Sequence, residues 1–284
     1  SVLNAHYTSP VIIKAMYTAL GQMGFEGGKV LEPSMGVGNF FGMLPESMVS
    51  SQLTGVELDS ISGRIARKLY PNADIKITGY ENTKFADNSF DVAIGNVPFG
   101  DYSLHDKRYD KEHLLIHDYF FVKTLDKVRP GGIVAFVTSK GTLDKANPAA
   151  RRLMAEKADL LGAIRLPNTA FKANAGASVT TDILFLQKRD TPPEQLPAWT
   201  ETGKNADGME LNNYFLQHPE MILGTMQEVT TQYGKDTACV PDPNVELEDL
   251  LSAAVLHLGH ENVFQSNTQD MPAPETADVF QSNT

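Results

Sequence analysis

The first 190 residues alternate short apolar runs with segments of helical periodicity, and this alternation strongly constrains the fold. We predict strands at residues 29–32, 52–57, 75–78, 90–96, 132–138, 160–165 and 181–187. Apolar side chains recur at helical spacing over residues 10–21, 38–44, 61–70, 115–128 and 149–157, and a Pro-Gly-Gly turn at 130–132 is expected to stop the fourth of these helices. Strands that alternate with helices indicate βαβ units. We therefore predict an α/β domain with a mostly parallel seven-stranded sheet and helices on both faces.

The organisation of the chain changes after residue 190. Residues 191–197 read Thr-Pro-Pro-Glu-Gln-Leu-Pro, which is typical of a stiff linker, so we place a domain boundary there. Residues 208–258 have helical patterns at 211–218 and 245–258 and no strong strand pattern, and we expect residues 191–258 to form an acidic, partly helical extension. From residue 259 we expect a disordered tail. It contains Val-Phe-Gln-Ser-Asn-Thr twice, at 263–268 and 279–284, with a peptide motif used twice as the alternative.

The charge of the chain is unevenly distributed. The formal total is −11, but residues 1–190 hold 22 Lys and Arg against 20 Asp and Glu, whereas residues 191–284 hold 2 against 15. DNA is bound mainly by Lys and Arg contacts to phosphate, so the first part is compatible with a DNA substrate. We expect the acidic part to be a solvated linker, with a segment that occupies a positive DNA-facing cleft as the alternative.

The cysteine count and the hydropathy of the chain indicate the kind of cellular compartment in which it functions. Cys239 is the single cysteine, which excludes a disulfide framework and a cysteine-ligated zinc site and indicates a reducing compartment. No apolar run is long enough for a membrane span. We expect a cytoplasmic protein without a metal site. The chain begins with serine, which suggests processing or a longer parent protein.

A glycine-containing run at residues 30–40, Val-Leu-Glu-Pro-Ser-Met-Gly-Val-Gly-Asn-Phe, joins the first predicted strand to a helix. A doubly wound sheet binds nucleotide-like ligands at such a junction. Gly36 and Gly38, which follow Pro33, let the backbone approach a ligand, and Glu32 at the strand end can receive the cationic amino group of a methionine moiety. A dinucleotide site would need a third glycine where Phe41 stands, so NAD is disfavoured.

Two further acids follow the next strands. Glu57 ends the second predicted strand, where its carboxylate can accept hydrogen bonds from ribose hydroxyls; we prefer it to Asp59 because it lies directly at the strand's carboxyl end. Glu81 follows the third strand. We expect it to accept the amino group of a cofactor adenine, with a helix-capping or solvated acid as the alternative.

The fourth predicted strand ends in the tetrapeptide Asn96-Val97-Pro98-Phe99. An exocyclic amine conjugated to a ring is a poor nucleophile because its lone pair is delocalised. The Asn96 side-chain oxygen and the Val97 carbonyl can accept hydrogen bonds from that amine and draw the lone pair out of the ring. Pro98 stiffens the turn, and Phe99 offers a face on which the target ring can stack. The alternative is an ordinary Asn-x-Pro turn, which the upstream glycine run disfavours.

These motifs together resemble the N6-adenine DNA methyltransferases, in which the cofactor run precedes an Asn-Pro-Pro-Phe/Tyr tetrapeptide. More closely, residues 4–189 are similar to the methylase domain of large phage and mobile-element proteins that also contain helicase domains. The resemblance implies S-adenosylmethionine as the cofactor, contacted by Tyr7 and Thr8 of the Tyr-Thr-Ser-Pro motif and by Asn96. It implies double-stranded DNA as the substrate and adenine N6 as the target, with a helicase or a recognition domain or subunit as partner. It also implies a base-stacking role for Phe171, with a core residue as the alternative.

Two features leave alternatives open. Val97 replaces the family's usual first proline; we expect the exchange to be chemically tolerable, because a backbone carbonyl plays the role, but to loosen the turn. Where the family normally continues into a target-recognition domain, the continuation here is short and acidic. The alternatives are a non-catalytic or incomplete cofactor- or DNA-binding module of a larger complex, and a methyltransferase acting on a protein glutamine or on RNA. Cytosine C5 chemistry is excluded because Cys239 lies outside the sheet domain. The segment 101–113, with Lys107, Arg108 and Lys111, is either a mobile phosphate-contacting loop or a solvated one.

Overall fold

The computed structural model describes residues 7–171 and 179–264, and its central element is a seven-stranded sheet in the order β3-β2-β1-β4-β5-β7-β6. The strands are β1 (Lys29–Glu32), β2 (Gln52–Glu57), β3 (Asp74–Ile77), β4 (Phe90–Asn96), β5 (Val128–Ser139), β6 (Ala158–Arg165) and β7 (Thr181–Lys188). Pairing is parallel from β3 through β5, and β7 is antiparallel to both β5 and β6. The predicted fold class and each of the seven predicted strands are confirmed.

Five helices fill the gaps between these strands. They are α1 (Pro10–Gln22), α2 (Asn39–Gly42), α3 (Ser60–Leu69), α4 (Ile116–Lys127) and α6 (Ala149–Lys157), with the short α5 (Gly141–Asp144) directly after β5. Each lies where helical spacing predicts one, although α2 is shorter than predicted. All twelve residues of α4 are buried, including its charged side chains. Among residues 7–171 and 179–264 no helix is long and apolar enough to cross a membrane.

The apolar runs form the core because a parallel sheet covered by helices is hidden from water on both faces. Residues 133–137 of β5 and 183–186 of β7 are fully buried, and they join α1 and α4 in one hydrophobic cluster. At about 25 cal/mol per Å² of apolar surface, burial on this scale is the main favourable term in folding. The two runs therefore form the most deeply buried part of the sheet.

The Pro-Gly-Gly segment at 130–132 does not form the predicted turn. It lies inside β5, which begins at Val128 directly after α4. The register between β4 and β5 shifts between Phe90 and Val92, opposite this segment, and Gly131 adopts a φ of 81°. The prediction was wrong because a bulge uses the same residue types as a turn. The helix ends at Lys127 because the chain passes straight into the strand.

The acidic extension contains strands that the sequence pattern did not indicate. Two antiparallel hairpins are present, β8 (Thr202–Lys204) with β9 (Glu210–Asn212), and β10 (Thr225–Thr231) with β11 (Gly234–Val240). The predicted helices are present as α7 (Asn213–Gln217) and α8 (Leu247–Leu258). The expectation of no strong strand was wrong because polar side chains dominate these hairpins, so their alternation carries no hydrophobic signal.

A buried ion cluster attaches the extension to the sheet. Arg165, at the end of β6, is inaccessible to solvent; it donates to both carboxylate oxygens of Asp182 (2.8 and 2.9 Å) and to Asp144 (2.7 Å). Its guanidinium lies 4.4 Å from the ring centroid of Phe215, on α7. Apolar side chains of the extension, including Trp199 and Phe215, belong to the main hydrophobic cluster. The domain boundary at residue 190 stays a prediction.

The start of the predicted disordered tail is ordered. Phe264 is buried, packs edge-on against Phe25 at 5.2 Å, and lies under the guanidinium of Arg129 at 4.8 Å. The amide of Phe264 donates to the carbonyl of Met23 at 2.7 Å. For residues 259–264 the prediction was therefore wrong, since one aromatic side chain is enough to dock the segment. Residues 265–284, with the second copy of the repeated string, lie outside the described residues.

Candidate functional site

The strand order reverses between β1 and β4, because β2 and β3 extend the sheet on one side of β1 while β4 and β5 extend it on the other. Parallel strands bring their carboxyl ends to one edge, and a crevice opens where the order reverses. Gly95 allows a close approach there, since a Cβ at this position would lie 3.2 Å from Cγ of Glu32. The topology thus brings the predicted acid of β1 beside the tetrapeptide of β4.

The glycine run after β1 has the backbone that its sequence predicts. Gly36 and Gly38 have φ values of 56° and 92°, in the left-handed region that favours glycine. A Cβ at Gly38 would lie 2.5 Å from Cε2 of Tyr70, whereas a Cβ at Gly36 would meet no atom within 4 Å. Gly38 is therefore required for packing. The space beside Gly36 is open, and its position at the crevice suits a ligand.

Glu32 is a buried carboxylate with an unsatisfied oxygen. It is 1% exposed, and its Oε2 has no hydrogen-bond partner. Burial, reinforced by the nearby Glu57 carboxylate, raises the pKa of Glu32 well above its ordinary value. Buried carboxylates without a partner are costly, and a cationic group offered by a ligand would offset that cost. The unsatisfied acceptor of Glu32 therefore fits the amino group predicted from the sequence.

Glu57 lies one strand away and is already oriented by the backbone. Its two carboxylate oxygens accept from the amides of Gly36 (2.7 Å) and Asp59 (3.0 Å). Each oxygen retains capacity to accept a further hydrogen bond from a hydroxyl. Asp59 caps α3 by accepting from the amide of Ser62 at 2.8 Å. That capping contact supports the preference for Glu57 over Asp59.

Glu81 lies on a 3₁₀ turn, Tyr80–Asn82, that follows β3. Its carboxylate folds back over Gly79, where any Cβ would collide with it. The buried Lys123 of α4 holds this turn by donating to the carbonyls of Tyr80 (2.8 Å) and Thr83 (3.4 Å). Glu81 is half-buried at the carboxyl edge of the sheet, and its predicted contact with a cofactor adenine stays a prediction.

Asn96 ends β4 and is oriented by a residue far away in sequence. Its Nδ2 donates to Oγ1 of Thr8 at 3.2 Å, and Thr8 is 4% exposed. The amide oxygen Oδ1 of Asn96 is buried and has no partner. Tyr7, next to Thr8, is exposed. The Tyr-Thr-Ser-Pro motif therefore meets the tetrapeptide, and the contact leaves the Asn96 oxygen as an open acceptor.

Val97 makes a contact that the proline it replaces cannot make. Its amide donates to the carbonyl of Val137 at 3.1 Å, which continues the β4–β5 ladder by one residue. Its side chain is 1% exposed and belongs to the hydrophobic core. The expectation that valine loosens the turn was wrong, because proline has no amide hydrogen to donate. Pro98 and Phe99 follow as half-buried residues.

Phe171 is in the hydrophobic core. It is 5% exposed and belongs to the main cluster. A side chain that stacks on an extruded base must expose a face of its ring. The structure therefore favours the core alternative over the base-stacking role predicted for this residue.

The segment 101–113 is held by several side-chain contacts and is largely exposed, which favours the solvated loop over the mobile phosphate-contacting loop. Arg108 forms a bidentate pair with Asp87 at 2.8 and 2.9 Å, and Asp106 accepts from the buried Lys123 at 3.1 Å. The hydroxyl of Tyr109 donates to Asp126 at 2.6 Å. Arg108 is thus paired with acids of the chain itself, although its side chain is half exposed. Sequence reasoning missed Lys123, whose one signal is a lysine among the apolar residues of a helix.

Comparison with known proteins agrees with this geometry. The sequence model of the N-6 DNA methylase family matches residues 5–218. The chain belongs to the N-6 DNA methylase family. It is 33% identical over 192 residues to the defense against restriction protein B of Escherichia phage P1, a match that covers 66% of this chain and 8% of that protein. It is 28% identical over 116 residues to the modification methylase CviBIII of Paramecium bursaria Chlorella virus NC1A, covering 39% of this chain and 30% of that protein.

The fold is that of the class I S-adenosylmethionine-dependent methyltransferases. The M protein of the type I restriction enzyme EcoKI superposes with a TM-score of 0.53 at 15% identity, covering 89% of this chain and 70% of that one. The family and the fold identify S-adenosylmethionine as the cofactor. Glu32, the open backbone at Gly36, and Glu57 would hold it. The unsatisfied oxygen of Glu32 fits its amino group, and the remaining acceptor capacity of Glu57 fits its ribose hydroxyls.

Proposed function

We propose that the chain transfers a methyl group from S-adenosylmethionine to the exocyclic N6 of adenine in DNA, with the target base extruded from the double helix and held by Asn96, Val97, Pro98 and Phe99. The observation that carries this proposal is the buried, unpartnered Oδ1 of Asn96 at the end of β4, beside the strand that ends in Glu32. Such an orphan acceptor is costly unless a donor arrives. The amino group of adenine is a donor of the required kind.

The two acceptors of the tetrapeptide would activate the amine. Asn96 Oδ1 and the carbonyl of Val97 would each accept one N–H, which favours a tetrahedral nitrogen with a localised lone pair. When bound, S-adenosylmethionine would supply an electrophilic methyl group, whose bond to sulfur breaks as the bond to N6 forms, so that the demethylated cofactor is a neutral thioether. The positive charge that develops on N6 is stabilised by the same two oxygens, and the surplus proton passes to water. Thr8 fixes the Asn96 amide so that its oxygen, and not its nitrogen, is presented.

The family and the named relatives favour DNA over the other candidate substrates. The viral relative is named a modification methylase, and the EcoKI M protein belongs to a type I restriction enzyme. Neither name concerns a protein glutamine or an RNA. Because this chain spans 8% of the phage P1 protein, we propose that a recognition domain, subunit or helicase outside this sequence contributes to site selection. We propose a cytoplasmic location from the single, buried Cys239.

The test is methyl transfer from labelled S-adenosylmethionine to unmethylated mixed-sequence DNA, followed by digestion to nucleosides. We expect label in N6-methyladenine, and its loss in Asn96→Ala. The matched control is Asn244→Ala, at an exposed position in the extension. Wild-type chain that binds the cofactor but transfers nothing to DNA would contradict the proposal and favour the binding-module alternative. Transfer to a release-factor glutamine or to RNA instead of DNA would assign the chemistry to that substrate.

A further inference from the structure

The β10–β11 hairpin presents an aromatic ring to solvent. Tyr233, at its tip, is 91% exposed, the highest value for a large hydrophobic side chain among the described residues. The tip is nevertheless ordered by side-chain hydrogen bonds. Oγ1 of Thr231 donates to the carbonyl of Gly234 at 2.9 Å and accepts from the amide of Tyr233 at 3.1 Å. The ring is therefore held out in a defined turn.

The hairpin is attached at the carboxyl edge of the sheet, the edge that carries Asn96. The amide of Cys239 donates to Oγ1 of Thr180, directly before β7, at 3.1 Å. The carbonyl of Cys239 accepts from the amide of Asn168, which follows β6, at 2.7 Å. Asp236 pairs with Lys140, directly after β5, at 2.9 Å. Three strand ends at one edge thus contact β11.

These contacts also give the direction of the hairpin. Followed from Cys239 back to Asp236, β11 passes from the ends of β6 and β7 to the end of β5. The next strand in that direction is β4, which ends in Asn96. Tyr233 lies three residues beyond Asp236, about 10 Å of extended chain, and neighbouring strands are about 4.8 Å apart. The tip can therefore reach the level of β4.

The tip of the hairpin is free of acidic side chains although the extension as a whole is acidic. Residues 191–264 hold 12 Asp and Glu against Lys204 and Lys235, but residues 229–234 read Val-Thr-Thr-Gln-Tyr-Gly and contain no acid. Lys235 follows directly, and its pairing with Glu228 is solvent-exposed and therefore weak. Hydroxyl and amide groups beside an exposed ring are suited to contact with bases and phosphates. The tip therefore brings no acidic side chain of its own toward DNA.

We propose that the β10–β11 hairpin is a DNA-contacting element, with Tyr233 stacking on a base beside the extruded adenine. This inference rests on the proposed function. Extrusion leaves bases without a stacking partner, and an aromatic ring within reach can replace it. Phe171 is buried and presents no such ring, whereas Tyr233 is exposed at the same edge. Lys235 supplies a phosphate contact next to the ring.

The test compares Tyr233→Ala and Tyr233→Phe with wild type. The matched control is Leu256→Ala, which removes a 73% exposed side chain from α8. The dissociation constant is measured by fluorescence anisotropy with a labelled mixed-sequence duplex, and S-adenosylmethionine affinity is measured in parallel by calorimetry. We expect Tyr233→Ala to weaken DNA binding roughly 5- to 150-fold, the range found for base–aromatic stacking, at unchanged cofactor affinity. We expect Tyr233→Phe and Leu256→Ala to bind as wild type does.

The outcomes separate this inference from the proposed function. Wild-type chain that binds DNA without methylating it, with weakened binding in Tyr233→Ala, supports the hairpin and overturns the methyltransferase proposal. Wild-type chain that methylates DNA, with equal DNA affinity and equal KM in Tyr233→Ala, overturns the hairpin alone. Equal loss of DNA binding in Tyr233→Ala and Leu256→Ala also overturns it. Wild-type chain that does not bind DNA overturns both.

Discussion

Replacement of Glu32 by glutamine should stabilise the cofactor-free protein while it weakens cofactor binding. Oε2 of this buried carboxylate has no partner, and burial together with the Glu57 carboxylate raises its pKa well above the ordinary value. The fold therefore favours the neutral form. Glutamine keeps the size of the side chain and is neutral at every pH, so Glu32→Gln removes the cost of a buried charge without a cavity.

The magnitude follows from the unsatisfied group. An ionised carboxylate that is buried without a partner costs about 1–3 kcal/mol, and because the glutamine side chain carries no charge we expect the variant to gain about that much in free energy of unfolding near pH 8. For a domain of this size, that gain corresponds to a rise in Tm of roughly 2–12 °C. Loss of one partner from a buried charge pair costs about 2–5 kcal/mol in binding, so the Kd for S-adenosylmethionine should rise roughly 30- to 5,000-fold.

The dependence on pH distinguishes this account from a general repacking. Because the folded-state pKa of Glu32 is raised, its contribution to stability is fully present below the unfolded-state pKa and is lost as the pH rises through the folded-state pKa. The gap in Tm between variant and wild type should therefore widen as the pH rises. Cofactor binding favours the ionised carboxylate, so the affinity of the wild type should increase with pH over the same window and that of Glu32→Gln should not.

Differential scanning calorimetry and titration calorimetry at a series of pH values measure both effects. The control is Glu156→Gln, which makes the same chemical change at an exposed position on α6. A Glu32→Gln protein that is less stable than wild type at pH 8, or that binds the cofactor as tightly, would refute the reasoning.

Three further substitutions test the structure. Val97→Pro, which restores the family's usual residue, removes the hydrogen bond to Val137 and should lower the free energy of unfolding by about 1 kcal/mol without a gain in activity, as urea denaturation and methyl-transfer rates would show. Gly38→Ala forces a Cβ against Tyr70 at a φ of 92°, and denaturation should show a loss of at least about 1 kcal/mol in free energy of unfolding. The control Gly208→Ala, at a φ of 77° in open space, measures the backbone strain alone. Arg165→Met leaves two buried carboxylates unpaired and should cost about 3–5 kcal/mol; protease cleavage within the extension that is no faster than in wild type would contradict its anchoring role.

The fold could be predicted from the sequence wherever hydrophobic periodicity controls the structure. Five of the seven strands (β1, β4, β5, β6 and β7) are mostly buried, so their apolar runs carry a strong signal. The hairpins β8–β9 and β10–β11 are held instead by backbone pairing and by contacts from Asn212 and Cys239 to distant residues, which no local pattern reports. The bulge at Gly131 was missed for a related reason, since turn residues also fit a strand irregularity.

The candidate site was predictable in its residue types but not in their partners. The strand ends supplied Glu32, Glu57 and Asn96, because parallel strands bring their carboxyl ends together. Thr8 orients Asn96 through a hydrogen bond between residues 88 positions apart in the sequence. The burial of Phe171 depends on tertiary packing. Both facts lie beyond any sequence window.

The docking of Phe264 fixes where the chain leaves the sheet. Met23, whose carbonyl accepts from the amide of Phe264, precedes β1, and Arg129 lies near the start of β5. Both positions are at the amino edge of the parallel strands, so Phe264 is bound at that edge. Gln187, at the far end of the antiparallel β7, holds the neighbouring carbonyl of Val263 at 3.0 Å. A fluorophore or affinity handle attached to the exposed Glu261 or Asn262, next to this contact, would lie on the side of the sheet opposite Asn96. Such an attachment would leave the approach to the tetrapeptide clear.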